Sequence, residues 1–321
     1  MILSVGLTPA WQQILTFDAF RPGEVNRATS AAWCASGKVF NAGIGVAQLG
    51  GDSHMLAPIG GPNRRIIEDE LNSLGVRFHP IPTETATRIC TTVLDRNAHA
   101  ETELVEEGRP ILDDELAMFL ERYEELAPKA DVIVLIGSLP PNVSHSLYRQ
   151  LIKPAHCPVV CDFRGEGLLN ALDAHPFLVK PNREELQHTF QRPLTSESLC
   201  FDAMRQLNER GAEWAVVTDG PHPILISSLH ACYRIAPPKI VDEEIVNPIG
   251  CGDAMTATIA WASDPKVGLP WKNEKGVLDV LDRIRLGVAA SCVKLQDLLP
   301  CRLHLDQVKE ISKTLVVERV D

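Results

Sequence analysis

Short apolar runs alternate along this chain with longer stretches in which apolar and polar residues recur at helical spacing. Val132-Ile133-Val134-Leu135-Ile136, Val159-Val160-Cys161, Phe177-Leu178-Val179 and Ala215-Val216-Val217-Thr218 are each followed by a loop and then a helical pattern. A run that is apolar at every position implies a strand buried on both faces. The expected fold is therefore α/β, a mostly parallel sheet between helices, with ligands beyond the carboxyl ends of the strands. Two regions break the alternation. Residues from about Trp11 to Trp33 and from about Thr87 to Val105 read as extended and partly polar, the second with a turn near Asn97. They predict a small antiparallel sheet outside the main one, usable as a lid over the strand ends or as a simple edge hairpin. Pro80-Ile81-Pro82 and Pro237-Pro238 read as loop punctuation inside one unit, so residues 1–321 are expected to form a single domain.

The formal net charge of -11 argues against a nucleic-acid or anionic-membrane surface, so any anionic ligand has to be held by local charges. Met1-Ile2-Leu3-Ser4-Val5-Gly6-Leu7 lacks the basic region of a signal peptide, and no apolar run is long enough to span a bilayer, which predicts a cytoplasmic protein. The nine cysteines follow no disulfide-like framework and read as buried thiols. Cys157 and Cys161 lie near His156 and Asp162, but three residues separate them, not the two of common zinc knuckles.

Four loops carry the candidate chemistry. In Asn247-Pro248-Ile249-Gly250-Cys251-Gly252-Asp253-Ala254-Met255, two glycines bracket a small residue just before a carboxylate, between strand-like residues Lys239 to Val246 and a small, apolar helix from Ala254 to Ala262. Backbone N–H groups at such a helix start can surround a phosphate, and Asp253 can take a proton from an attacking hydroxyl; the alternative is a tight turn with Asp253 as an N-cap. In Lys180-Pro181-Asn182-Arg183-Glu184-Glu185-Leu186, Asn182 and Glu185 share one face of a first helical turn, an oxygen set that suits hydrated magnesium and that also spells a capping box. Gly137-Ser138-Leu139-Pro140-Pro141 ends an apolar run, so Ser138 can offer a hydroxyl to a ligand or form only a turn. Ser36-Gly37-Lys38-Val39-Phe40-Asn41-Ala42-Gly43 opens a helix that runs to Gln48, where Lys38 can meet a phosphate and Asn41 a sugar hydroxyl, or serve as a solvated lysine on a capped helix. Other nucleotide motifs are excluded by spelling. Gly37-Lys38 has Ala32 where a P-loop needs glycine, and neither Gly43 with Gly45 nor Gly250 with Gly252 completes a dinucleotide fingerprint.

Taken jointly and in this order, the four loops make the chain resemble the ribokinase-like carbohydrate kinases, in their phosphofructokinase B branch. The resemblance runs almost end to end and is nearest to the 1-phosphofructokinases and tagatose-6-phosphate kinases. Val25-Asn26-Arg27, Thr87-Arg88-Ile89, the Ser138 loop, Lys180-Pro181-Asn182 with Glu185, Gly250 to Asp253, and Ile284 to Ala290 all agree with that subgroup. The resemblance implies ATP and Mg2+ as cofactors, with Asp253 as base and Gly250, Cys251 and Gly252 around the transferred phosphoryl group. It also implies Lys180, Thr218 and Gly220 near the nucleotide and the Asn182-Glu185 pair ordering metal through water. Arg88 and Ser138, helped by Arg27 and Lys38 with Gly37 and Asn41 beside them, would hold a sugar phosphate, and the lid would form a homodimer. The family aspartate for sugar hydroxyls is Gln12 here, the glycine after Gly-Lys is Val39, and a family glycine after Pro-Pro is Asn142. Gln12 and Val39 are expected to narrow the pocket and alter the sugar preferred. The expected activity is phosphoryl transfer from ATP to a phosphorylated ketohexose. The alternatives are a sugar-phosphate-binding or regulatory protein on the same fold, or a kinase of another sugar or of a nucleoside.

Overall fold

The computed structural model describes residues 1–267 and 279–320. β1 (Ile2–Val5) opens the central sheet, β2 (Ala10–Phe17) and β3 (Ser30–Ser36) leave it, and α1 (Lys38–Gln48) returns to the core. β4 (Ser53–Gly60), α2 (Arg64–Ser73) and β5 (Arg77–Thr83) extend one side, after which β6 (Arg88–Asp95) and β7 (Ala100–Val105) form a hairpin. Strand and helix then alternate through α3 (Asp113–Leu126), β8 (Val132–Ile136), α4 (Leu147–Ile152), β9 (Val159–Asp162), α5 (Gly165–Ala171) and β10 (Leu178–Val179). They continue through α6 (Arg183–Phe190), α7 (Glu197–Glu209) and β11 (Trp214–Val217) to an edge made by β12 (Ile224–Ser227) and β13 (Cys232–Ile235). A long loop leads to α8 (Cys251–Ser263), and α9 (Val280–Leu295), α10 (Leu305–Thr314) and β14 (Val317–Arg319) complete the described chain.

Among the described residues ten strands make one sheet in the order β14-β13-β12-β11-β10-β9-β8-β1-β4-β5. Pairing is parallel from β11 through β5 and antiparallel along the β11-β12-β13-β14 edge. β8 shows why its run is apolar throughout. Val132, Val134 and Ile136 face a layer with residues of α1, α8 and α9, whereas Ile133 and Leu135 face a layer with residues of α3, α4 and α7. Each strand position thus lies in one of two cores, with period two. β1 pairs with β4 on one side and β8 on the other, so the loops after β1 and β8 flank the crevice where strand order reverses.

The lid is a four-stranded sheet, β3-β2-β6-β7. It departs from the antiparallel expectation at its centre, where β2 and β6 run parallel in register from Ala10↔Arg88 to Phe17↔Asp95. β2 follows β1 and β6 follows β5, and β1 and β5 point the same way, so each continues outward in the same sense. A second expectation fails at Lys239 to Val246. This segment holds no strand, only a 3-10 turn at Asp242–Glu244. Pro237 and Pro238 lack N–H donors, and the acidic run is exposed without the apolar alternation that would seat it on a sheet. The Gly250 turn is therefore a loop-to-helix junction, not a strand end. No described helix is long and apolar enough to cross a membrane. All nine cysteines are free, Cys157 and Cys251 half-buried and the rest buried.

Candidate active site

α8 begins with a sharp change of direction. Gly250 has φ 90° and ψ 2°, a left-handed backbone that costs glycine nothing, and the helix follows at once from Cys251. In this first turn the Cys251 N–H donates to the Pro248 carbonyl at 3.3 Å, and the next N–H groups, of Gly252 and Asp253, have no carbonyl one turn earlier in the helix to receive them. Asp253 sits in that turn, only 7 % exposed. Its Oδ2 accepts the amide N–H of Asn41 at 2.7 Å, and Ser36 donates its hydroxyl to Asn41 Oδ1 at 3.1 Å. Close helix packing makes this contact reachable, because a Cβ on Gly45 of α1 would lie 2.7 Å from Ala257 Cβ of α8. Burial raises the Asp253 carboxyl to about 6; Lys38, the Asn41 hydrogen bond and Lys180 pull the other way, and the Asp162 charge adds to the rise.

Beside Asp253 lies an ion network. Asp162, at the carboxyl end of β9 and 1 % exposed, accepts Lys38 Nζ at 2.8 Å, Lys180 Nζ at 3.0 Å and the Thr256 hydroxyl at 2.7 Å. Burial pushes its carboxyl up, but the charges of Lys180 and Lys38 with the bonds from Lys38 and Thr256 outweigh it, and the group is held well below the usual carboxylate range. Lys38 also donates to Glu185 Oε1 at 3.0 Å. Desolvation lowers its affinity for a proton, but Asp162, Glu185 and Asp253 hold it above the ordinary lysine range. Lys180 is buried and lies over the glycine turn, since a Cβ on Gly252 would stand 3.4 Å from its Nζ.

Asn182 and Glu185 form both halves of a capping box: Asn182 Oδ1 accepts the Glu185 N–H at 2.7 Å, and Glu185 Oε2 accepts the Asn182 N–H at 2.9 Å. Thr218 pairs with Asn182 through an isolated parallel bridge, and its carbonyl accepts the Arg183 N–H at 2.8 Å. Gly220 follows in an exposed turn with φ 54°.

A second group lines the crevice between the sheet and the lid. Thr8 donates its hydroxyl to the Ser138 carbonyl at 3.1 Å and lies 3.2 Å from the Ser138 hydroxyl, which is exposed. Arg88 braces the lid to this loop: Nη2 donates to the Thr8 carbonyl at 2.9 Å, Nη1 to that of Glu106 at 2.9 Å and Nε to that of Pro9 at 3.4 Å. Gly37 touches the same loop, and a Cβ there would lie 3.2 Å from the Thr8 carbonyl oxygen. A cleft runs past Thr8, Arg88, Arg109 and Pro140. Gln12 is buried within the lid sheet, donating its amide to Thr92 Oγ1 at 2.7 Å. Arg27 is exposed in the loop joining β2 to β3.

The structure thus joins Lys38, Asn41, Lys180, Asn182, Glu185 and Asp253 in one cluster, and Gly37, Arg88 and Ser138 in the adjoining crevice. Val39 departs from expectation. It is 2 % exposed and packs on the end of β1, where a Cβ on Gly6 would lie 2.9 Å from its own, so its bulk enters the core and not the pocket. Thr256 was not among the candidate residues, and Asp162 was weighed only as a metal-ligand type beside Cys157 and Cys161. An aspartate ending a buried parallel strand was the visible signal for Asp162.

A family model described as pfkB family carbohydrate kinase matches residues 1–298. A protein of Thermotoga maritima described as a possible 1-phosphofructokinase has a similar structure, with TM-score 0.87 and 21 % identity over 100 % of each chain. Phosphofructokinase-2 of Escherichia coli, solved with substrates and products, is 25 % identical over 97 % of this chain and 98 % of its own, with TM-score 0.83. The same Escherichia coli enzyme in a tetrameric inhibited form aligns at 24 % identity over 98 % of each chain, also with TM-score 0.83.

Proposed function

Since the chain belongs to the pfkB family of carbohydrate kinases, we propose that it transfers the γ-phosphoryl group of ATP to a hydroxyl of a phosphorylated ketohexose, with Asp253 as general base. The substrate is of the fructose 1-phosphate, fructose 6-phosphate or tagatose 6-phosphate kind. The observation that carries this reading is the Asp253 carboxylate, buried in the first turn of α8 and raised to about 6. Such a group is mostly ionised at neutral pH and still basic enough to receive a hydroxyl proton. The N–H groups of Gly250 and Gly252, with Lys180 above them, supply fixed positive ends for charge on the transferred phosphoryl group, while Cys251 between them gives its N–H to the Pro248 carbonyl at 3.3 Å and so holds the turn. Asn41 orients the base through its bond to Oδ2.

Nucleotide is proposed to lie along the α8 turn toward Thr218 and Gly220. Among the described residues no three His, Cys, Asp or Glu side chains gather to hold a metal. The oxygens of Asn182 and Glu185 at the edge of the cluster instead fit a magnesium ion that arrives with the nucleotide and keeps its water shell. When bound, that ion neutralises phosphate charge. Glu185 is fixed by its cap and by Lys38, and so would hold a water of that shell in one place.

For the sugar phosphate, Arg88 and Ser138 are proposed to hold the phosphate already present. A guanidinium has five N–H donors, and three of Arg88's are used on carbonyls, which leaves one on each terminal nitrogen for an anion. The lid is proposed to pair two copies of the chain. Val25, Trp33, Leu104 and Val105 are 82 %, 44 %, 58 % and 52 % exposed on it, apolar surface that a second lid would cover. Light scattering of Trp33→Glu with Leu104→Glu against the parent tests the pairing.

The decisive experiment is ADP release with ATP and magnesium across fructose 1-phosphate, fructose 6-phosphate, tagatose 6-phosphate, free fructose and a nucleoside. Turnover on a ketohexose phosphate supports the proposal. Binding of these sugar phosphates by calorimetry without ADP release would overturn it in favour of a binding or regulatory protein.

A further inference from the structure

Lys294 is a buried charge that phosphoryl transfer leaves unused. It lies in the last turn of α9, is 0 % exposed, and among the described residues has no carboxylate partner. Its Nζ donates instead to two backbone carbonyls, of Asn247 at 2.8 Å and of Asp297 at 2.9 Å. An ammonium taken out of water is costly unless other dipoles replace its hydration, and burial lowers its affinity for a proton accordingly. The negative end of α9 and the two carbonyls supply that replacement.

The carbonyls come from the two segments that hold the phosphate-binding turn. Asn247 enters that turn, and Asp297 follows the end of α9. Neutral bonds join the same segments: the Val246 N–H donates to the Leu295 carbonyl at 2.8 Å, and the Asn247 side chain donates to the Leu298 carbonyl at 2.8 Å. Ser291 donates to the Cys251 carbonyl at 2.8 Å. The Lys294 stem runs directly beneath Gly250, where a Cβ would lie 3.7 Å from its Cε. Two carbonyl oxygens facing one small volume repel each other, and a cation between them turns that repulsion into a clamp.

We propose that Lys294 is a positioning residue whose ammonium acts as a tethered monovalent cation, clamping the Asn247 and Asp297 carbonyls and so fixing the Gly250 to Gly252 turn against the phosphoryl group. Ammonium and potassium are similar in size, and both are solvated by carbonyl oxygens. The chain therefore carries its own cation at this point and needs no free one. Removing the side chain to Cβ leaves a carbonyl-lined space that a free ion of the same size can fill.

The rate readout rests on the kinase reading, and a melting readout does not. Parent, Lys294→Ala and Lys294→Met are compared in choline, sodium, potassium and ammonium chlorides at equal ionic strength and fixed magnesium. The parent is expected to melt and turn over alike in all four salts. Lys294→Ala should lose on the order of a hundredfold in turnover, as for a catalytic group displaced by about an ångström. Potassium or ammonium, but not choline, should restore much of that rate and raise its melting temperature without substrate present. Lys294→Met, whose neutral stem fills the space, should stay impaired in every salt. Selective activation of the parent by potassium, parental turnover in Lys294→Met, or a Lys294→Ala protein indifferent to the cation would each overturn the proposal. Where neither variant folds, the salt response of the parent decides. A parent without turnover in any salt is a failure of the kinase reading alone, and the melting comparison then decides the role of Lys294.

Discussion

Asp253→Asn probes the site from two sides, because the surroundings that suit this carboxylate to the proposed role of base also make it a load on the fold. Burial, opposed by Lys38 and aided by the Asp162 charge, raises the carboxyl from 3.8 to about 6. A group whose folded-state pKa is raised contributes stability that is complete below its unfolded value and is lost as pH rises through the folded value. The loss therefore falls between about 4 and about 6. A rise of about two units, at about 1.36 kcal/mol each, amounts to about 3 kcal/mol of strain carried at neutral pH. Asparagine keeps the shape and an oxygen for the Asn41 amide but cannot ionise. Urea unfolding of the variant relative to the parent should thus improve by about 3 kcal/mol between about pH 4 and pH 7.5. Turnover should fall by about a hundredfold to ten-thousandfold, and kcat/KM of the parent should rise with pH through about 6 as Asp253 ionises. A stability difference that does not change with pH would refute the burial argument. Parental turnover in the variant would reduce Asp253 to a helix cap.

The other perturbations act on the neighbours. Asp162→Asn strands the buried Lys180 without its carboxylate and should cost about 3–5 kcal/mol in urea unfolding; removing a negative charge from beside Asp253 should also move the acid limb of kcat/KM below about 6, and an unmoved limb would show the two carboxylates to be uncoupled. Arg88→Ala should raise KM for the sugar phosphate by about tenfold to a hundredfold, the worth of a charge-assisted hydrogen bond, with KM for ATP little changed. Equal weakening of both, or of neither, would confine Arg88 to bracing the lid. Glu185→Gln should move the magnesium titration of activity to higher concentration, whereas lost stability with an unchanged titration would leave only the capping box.

The fold was legible where burial is local to a run of residues. Val132 to Ile136 is apolar at every position because both faces of β8 are covered, and the pattern alone shows it. The helix from Lys38 to Gln48 and the two extended lid segments, the second with its turn near Asn97, were visible because turn residues and alternation are short-range signals, whereas the parallel join of β2 to β6 was not. Lys239 to Val246 misled because extended polar chain and strand look alike until a neighbour is asked for, and no strand pairs with it. Within the site, Asp253 and the glycines stood out by spelling. Asp162 did not, because its role depends on Lys38, 124 residues away, and on Lys180 and Thr256 from two further segments. Lys294 is invisible for a related reason: its partners are main-chain carbonyls, which any sequence supplies.

The same distinction bears on sugar preference. Val39 and Gln12 both stand where the resemblance in the sequence implies other residues, and from spelling alone they count equally. In the structure they do not. Val39 fills space against Gly6 in the core, so a glycine there would loosen the start of α1 and with it Asn41 and Lys38, a matter of positioning and stability. Gln12 lies in the lid strand next to β6, with one amide N–H already given to Thr92. What remains for a ligand is its second N–H and its carbonyl oxygen, an acceptor without charge. An aspartate at that place would accept more strongly but would have to be buried beside Thr92, at a cost in desolvation that only a well-placed sugar hydroxyl offsets. Any change in preference is therefore expected to trace to Gln12 and the lid strand that carries it, while Val39 bears on the proposed chemistry of Asp253 only through the placing of Lys38 and Asn41 on α1.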